Sequence, residues 1–206
     1  MKTKRKTATK KIKKPNLPKE GKYNNLEYES FCELSLLFFC EELKRKGYIK
    51  KVERSPSYIL AEPTVSSYTE KQKKGSKTVS QNIQQGVTYT PDYDIYFTEK
   101  AIGKVVWILG SNSKYNKDLL IGQKIGDEIR VCCEVKPDFS RNSTTPKSVQ
   151  SMKWLYQRHG IFVNLFRPNN IFERLFTPEK YLLTERGTIR RLKFIPKSLD
   201  KFLSEK

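Results

Sequence analysis

Ile129-Arg130-Val131-Cys132-Cys133-Glu134-Val135-Lys136 alternates apolar and polar residues, and so does Pro91-Asp92-Tyr93-Asp94-Ile95-Tyr96-Phe97 upstream of it. Successive side chains of an extended strand leave opposite faces, so a period of two predicts a β-strand in each stretch. Ile129, Val131, Cys133 and Val135 then share one face, with Glu134 and Lys136 together on the other. Asp92 falls opposite Tyr93, Ile95 and Phe97. Two carboxylates and a lysine on the polar edge of a small sheet suit a site that holds a divalent cation and attacks a phosphodiester. The Val135 carbonyl, between the two side chains, is a further candidate ligand.

A polyanionic substrate is also what the charge favours. The chain of 206 residues carries 41 Lys/Arg against 22 Asp/Glu, a formal net charge of +19. Residues 1–22 hold ten of the basic residues and one glutamate, so +9 sits there and +10 on the remainder. A body that is itself strongly basic points to nucleic acid. Residues 1–22, dense in lysine and broken by Pro15 and Pro18, read as a disordered basic arm that meets phosphates without sequence preference. Residues 23–206 read as one domain of ordinary size.

The four cysteines do not form a zinc or disulfide pattern. No C-x-x-C spacing occurs, His159 is the only histidine, and Cys32 and Cys40 stand two helical turns apart. A reduced, intracellular protein of the cytoplasm or nucleoid is expected. No apolar run is long enough to cross a bilayer.

Working outward, Ser30 and Glu33 have capping-box spacing ahead of Leu34-Ser35-Leu36-Leu37-Phe38-Phe39-Cys40, which predicts a buried helix from Ser30 to about Arg45, stopped by Gly47. Glu33 has two readings, the helix cap or a crowded carboxylate that takes a metal as its partner. A short extended piece is expected around Tyr58-Ile59-Leu60. Residues 64–87 are polar without a clear period and read as a mobile loop or weak insertion. Lys104–Leu109 reads as a strand and residues 110–126 as a loop. Thr145-Pro146 starts a helix that Gly160 ends, Ile161–Phe166 returns as a strand, and a short amphipathic helix lies near Ser198–Leu203. On the second helix Gln150, Lys153 and Gln157 share one face, and Val149, Met152 and Tyr156 another. This order describes an α/β fold with a mixed central sheet flanked by helices on both faces.

Pro91-Asp92 followed by Glu134-Val135-Lys136 resembles the motif of the PD-(D/E)XK nuclease superfamily, and the segment from Ser30-Phe31-Cys32-Glu33 to Arg54-Ser55-Pro56-Ser57-Tyr58 looks similar to that of its phage-type, Holliday-junction-resolvase-like branch. The resemblance covers about residues 25–166. It implies a restriction-endonuclease-like sheet and a Mg²⁺-dependent DNA endonuclease, with Mn²⁺ as a substitute. It assigns Asp92, Glu134 and Glu33 as metal ligands and Lys136 as the catalytic lysine. Gln150, Lys153 and Gln157 are then expected to meet DNA. Two departures stand out: a long gap between Asp92 and Glu134, which predicts an extra hairpin within residues 99–126, and Pro137 where many relatives have glycine. No helix-turn-helix or zinc finger is recognisable, so branched or otherwise structured DNA is the expected substrate. A transposon-end or restriction-type nuclease, or a non-catalytic nucleic-acid-binding protein of the same fold, are the alternatives. DNA is the expected partner, with no membrane; a homodimer or protein partner is left open.

Overall fold

The computed structural model describes residues 20–138, 146–184 and 187–205. Most of the basic arm lies outside them, but its expected end moves: Gly21–Tyr23 (β1) pairs with Leu26–Tyr28 (β2) across Asn24 and Asn25, both at positive φ. Asparagine tolerates that left-handed backbone better than most residues.

Helix α1, Phe31–Arg45, has Ser30 as its N-cap, and the chain turns at Gly47 with φ 75°. It is followed by β3 (Ile49–Arg54), β4 (Tyr58–Ala61), β5 (Thr64–Gln72), β6 (Gly75–Gln84), β7 (Val87–Tyr89), β8 (Tyr93–Phe97), β9 (Val106–Ile108), β10 (Leu120–Ile125) and β11 (Glu128–Val135). Then come α2 (Pro146–His159), β12 (Val163–Phe166), α3 (Pro168–Arg174), α4 (Glu179–Leu182) and α5 (Leu199–Ser204). The α/β class is as expected. Within residues 110–126, however, the expected loop contains the strand β10, which returns through Gly126 (φ 58°) to β11. Glycines had marked this segment as a loop. One of them, Gly122, instead serves tight strand packing: a Cβ there would stand 2.5 Å from Val106 and 2.6 Å from Ile129.

The central sheet runs β3-β8-β11-β10-β9, and β12 also pairs with β11. Strand β8 runs antiparallel to both of its neighbours, β3 and β11, and β11 and β12 are parallel, joined by a crossover that contains α2. β11 is shared lengthwise on one side, its first residues pairing with β10 and its last with β12. Where those two neighbours separate, side chains replace the ladder. Asn164 accepts from the Ile121 amide and donates to the Ile121 and Cys132 carbonyls, while Gln123 accepts from the Phe162 amide. The backbone groups at the fork are therefore satisfied, as buried polar groups must be.

The period-two reading sorts the two faces correctly. Tyr93, Ile95, Phe97, Ile129, Val131, Cys133 and Val135 enter the main core with Leu36, Phe39 and Leu43 of α1, Phe172 of α3 and Phe202 of α5. On the opposite face Cys132 joins Leu60, Leu155, Ile161 and Val163 in a smaller core under α2. That face of the sheet also carries Asp94 and Arg130, an almost fully buried ion pair at 2.5 Å. On α2 the buried residue is Leu155; Val149 and Tyr156, expected to share a face with Met152, are exposed. The last forty residues read as a strand-and-turn region ahead of the tail helix, but residues 168–182 form two short helices instead.

The main departure is in residues 64–87. β5 and β6 make a nine-pair antiparallel ribbon that follows the short β4–β7 pair. Every residue of β5 is exposed, and every residue of β6 except the half-buried Val79. A ribbon with neither face buried imposes no apolar alternation, which is why the segment reads as a loop.

Candidate active site at the edge of the central sheet

Asp92 precedes β8 and Glu134 lies near the end of β11, so the antiparallel pairing of Tyr93 with Cys133 brings the two halves of the motif together. The Asp92 amide donates to the Cys133 carbonyl at 3.0 Å, and Asp92 Oδ2 accepts from the Val135 amide at 2.6 Å. In an extended strand a residue's N–H and C=O leave on the same side, so the Val135 carbonyl also points toward Asp92.

Glu134 is buried, and both its oxygens are engaged. Lys136 Nζ lies 2.5 Å from Oε1, and the Tyr89 hydroxyl donates to Oε2 at 3.1 Å. Lys136 is thus held beside the carboxylate by the two-residue spacing that puts both on one face. Burial, followed by the charge of Glu134, pushes the Tyr89 phenol far up, so it stays a neutral donor. Tyr89 and Arg54 are the site neighbours that sequence reasoning did not single out. Tyr89 stands two residues before Pro91, but a signal appears only once β7 is known to lie over β11's polar face.

Glu33 unites its two expected roles only in part. Ser30 Oγ accepts from the Glu33 amide at 3.2 Å, the N-cap half of the expected capping box, and its hydroxyl donates to Oε1 at 3.1 Å. Its Oε2 takes the Glu29 amide at 3.2 Å and lies 3.3 Å from the Tyr93 hydroxyl. The cation at that oxygen is Arg54, 3.1 Å away, whose guanidinium also stacks on the Tyr93 ring at 4.5 Å. Within the chain, then, the crowded Glu33 carboxylate has both its cap and a guanidinium as partners.

The electrostatics still tie the three carboxylates to one place. Asp92 is pushed up to about 6, by burial first, then by the charge of Glu134, and to a smaller extent by Glu33; the Val135 amide and Lys136 pull the other way. Among the described residues no three His, Cys, Asp or Glu side chains form a group close enough to hold a metal ion. The donor set of Asp92, Glu134 and the Val135 carbonyl is nonetheless all hard oxygen, the chemistry that Mg²⁺ selects. It also carries a repulsion between Asp92 and Glu134, offset in part by Lys136, that a divalent cation would reduce further.

The remaining candidates fall outside this cluster. Gln150, Lys153 and Gln157 are exposed on α2; Lys153 and Gln157 line a cavity of about 390 Å³ with Leu109, Met152 and Phe162. Asp94, a further acidic residue on the same face, is committed to Arg130. His159 ends α2, as expected, and bonds the Ile59 carbonyl at 2.9 Å. The four cysteines are free thiols. No described helix is long and apolar enough to cross a membrane. Compared with protein-family models, with curated proteins and with solved structures, the chain matches none.

Proposed function

We propose that this chain is a Mg²⁺-dependent DNA endonuclease that hydrolyses phosphodiester bonds in branched or otherwise structured DNA. The observation that carries the reading is the Asp92–Val135 hydrogen bond, which joins Pro91-Asp92 to Glu134-Val135-Lys136 at one sheet edge. The order α1, β3, β8, β11, α2, β12, with three antiparallel strands and a parallel fourth, supports a restriction-endonuclease-like arrangement. The net charge of +19 supports a polyanionic substrate.

Asp92, Glu134 and the Val135 carbonyl would hold the metal, with Glu33 as a contributor of negative charge behind them. A bound Mg²⁺ supplies charge neutralisation at the phosphate and a lowered pKa for its water. The chain's own residues do the rest. Lys136 places a positive charge where negative charge grows on the scissile phosphate. Tyr89 fixes the Glu134 carboxylate, and the Val135 amide fixes that of Asp92. Arg54 holds the Glu33 carboxylate in place at the N-terminus of α1.

A second reading, a nucleic-acid-binding protein without catalysis, draws on the same ion pairs. Lys136–Glu134 and Arg54–Glu33 satisfy two of the three carboxylates with the chain's own cations. One assay separates the readings: linear, flapped and four-way DNA incubated with Mg²⁺ or with EDTA. Cleavage of the flapped or four-way substrate with Mg²⁺ alone is expected. Binding without cleavage of any substrate in Mg²⁺ or Mn²⁺ selects the second reading.

A further inference from the structure

The β5–β6 ribbon is the largest feature that the site chemistry leaves unused. A two-stranded hairpin is only marginally stable in water without a face to bury. This one buries neither face, yet runs nine residue pairs from Thr64↔Gln84 to Gln72↔Gly75. At about 3.3 Å per residue its nine-residue strand reaches roughly 30 Å from its base. That base is not remote from the carboxylates. β4 and β7 pack against α2, and Tyr89 of β7 is hydrogen-bonded to Glu134.

Its composition identifies what it meets. Of the 21 residues from 64 to 84, eleven are Ser, Thr, Asn or Gln, four are lysine and one is glutamate. Lys73 and Lys74 form the tip, with Lys71 and Lys77 within one turn of it, and all four are exposed. The register gives the faces distinct chemistry. Ser67 and Ser80, Thr69 and Thr78, and Lys71 and Ser76 are cross-strand partners on one face, a row of hydroxyls ending in an amine. Tyr68 opposite Val79, and Glu70 opposite Lys77, lie on the other.

We propose that this ribbon is a duplex-DNA arm that enters the major groove beside the site, its lysine tip on the phosphates and its hydroxyl face toward the base edges. A B-form major groove is about 12 Å wide and admits a two-stranded ribbon. The major groove of A-form RNA is too deep and narrow for one. A reach of roughly 30 Å corresponds to about nine base pairs at 3.4 Å each. A second copy of the chain is the weaker occupant, because ribbon-to-ribbon pairing would bring eight lysines together around few apolar side chains. The choice of DNA over another polyanion rests on the proposed function, whereas the ribbon's role as a cationic arm does not.

The test measures binding in EDTA, so that it is independent of cleavage. Fluorescence anisotropy compares the wild type with a Lys71/Lys73/Lys74/Lys77→Gln variant and with a chain whose residues 64–84 are replaced by a two-residue turn. The probes are duplex DNA of 8 to 30 base pairs, duplex RNA and single-stranded DNA. The lysine variant is expected to bind duplex DNA at least 10-fold more weakly at 100 mM salt, with a salt slope lower by about 3. The shortened chain should stop gaining affinity at a duplex about nine base pairs shorter than the wild type does, at an unchanged melting temperature. Equal loss on all three probes reduces the proposal to a non-specific arm and overturns the groove assignment. Unchanged affinity and slope overturn it entirely, as does a wild-type dimer that becomes a monomer on ribbon removal. A chain that cleaves but ignores the lysines would remove the arm and leave the nuclease; one that never cleaves but needs them would do the reverse.

Discussion

β8–β11 and β5–β6 are both antiparallel pairs, and they are held in opposite ways. Between β8 and β11, Tyr93, Ile95, Phe97, Ile129, Val131 and Cys133 sit at most 1% exposed, and the far face closes over an Asp94–Arg130 ion pair. Between β5 and β6 almost nothing is covered. Backbone pairing is common to both, so it is not what distinguishes them. Burial fixes one pair as the frame of the site. The other is an exposed surface held by its own cross-strand pairs. A strand pair built for packing punishes any change, whereas one built for contact tolerates change until its ligand is added.

The largest expected contrast is in cleavage. Asp92→Ala or Glu134→Ala, at the ends of the buried pair, is expected to abolish Mg²⁺-dependent cleavage while duplex binding is kept or tightens, since each removes a negative charge facing phosphate. Gel assays of cleavage beside anisotropy of binding check this; full activity in either variant would remove the proposed site.

In stability the same contrast is expected to be nearly as wide. Arg130→Met leaves Asp94 buried without its cation and should cost about 3–5 kcal/mol in chemical denaturation. Thr69→Ala on the ribbon should stay within about 0.5 kcal/mol. A Thr69 variant as destabilised as the Arg130 variant would mean that the ribbon packs on the body after all.

Lys136→Ala is expected to slow the chemical step by about 10²–10³-fold, the usual loss for one electrostatic stabiliser. Metal affinity should change little, because lysine is not a ligand. Single-turnover rates across a Mg²⁺ titration separate rate from affinity, and an equal loss of both would assign Lys136 to holding Glu134 in place.

The smallest effect is a pH dependence. Burial and the neighbouring carboxylates raise Asp92 in the folded chain to about 6, against about 3.9 for a free carboxyl. A raised folded pKa means that protonated Asp92 costs nothing below pH 4, and that a penalty grows as pH rises to 6 and stays above it. Asp92→Asn, in EDTA, should therefore be more stable than wild type at pH 8, by on the order of 1–3 kcal/mol, and equal to it at pH 3.5. Added Mg²⁺ should raise the wild-type melting temperature at pH 8 and leave that of the variant nearly unchanged. A variant without any gain at pH 8 would mean that Asp92 is not under repulsion.

The sequence by itself determined the elements whose side chains see two different environments. The alternation in 129–136 and 93–97 reports a buried face and a polar one, so the strands, the faces and the meeting of Asp92 with Glu134 and Lys136 were all legible. Ser30 and Glu33 marked the start of α1 because a cap is a local contact, three residues long. Tertiary structure alone decided what depends on distant neighbours. Glu33 meets Arg54 21 residues away, and Tyr89 reaches Glu134 across 45. Asn164 stitches β10 to β11 and β12 with a side chain whose role no local pattern announces. β10 hid behind glycines, one of which was there for close packing and not for a turn. The ribbon hid for the plainest reason: hydrophobic period is written only where a face is buried, and residues 64–84 bury none.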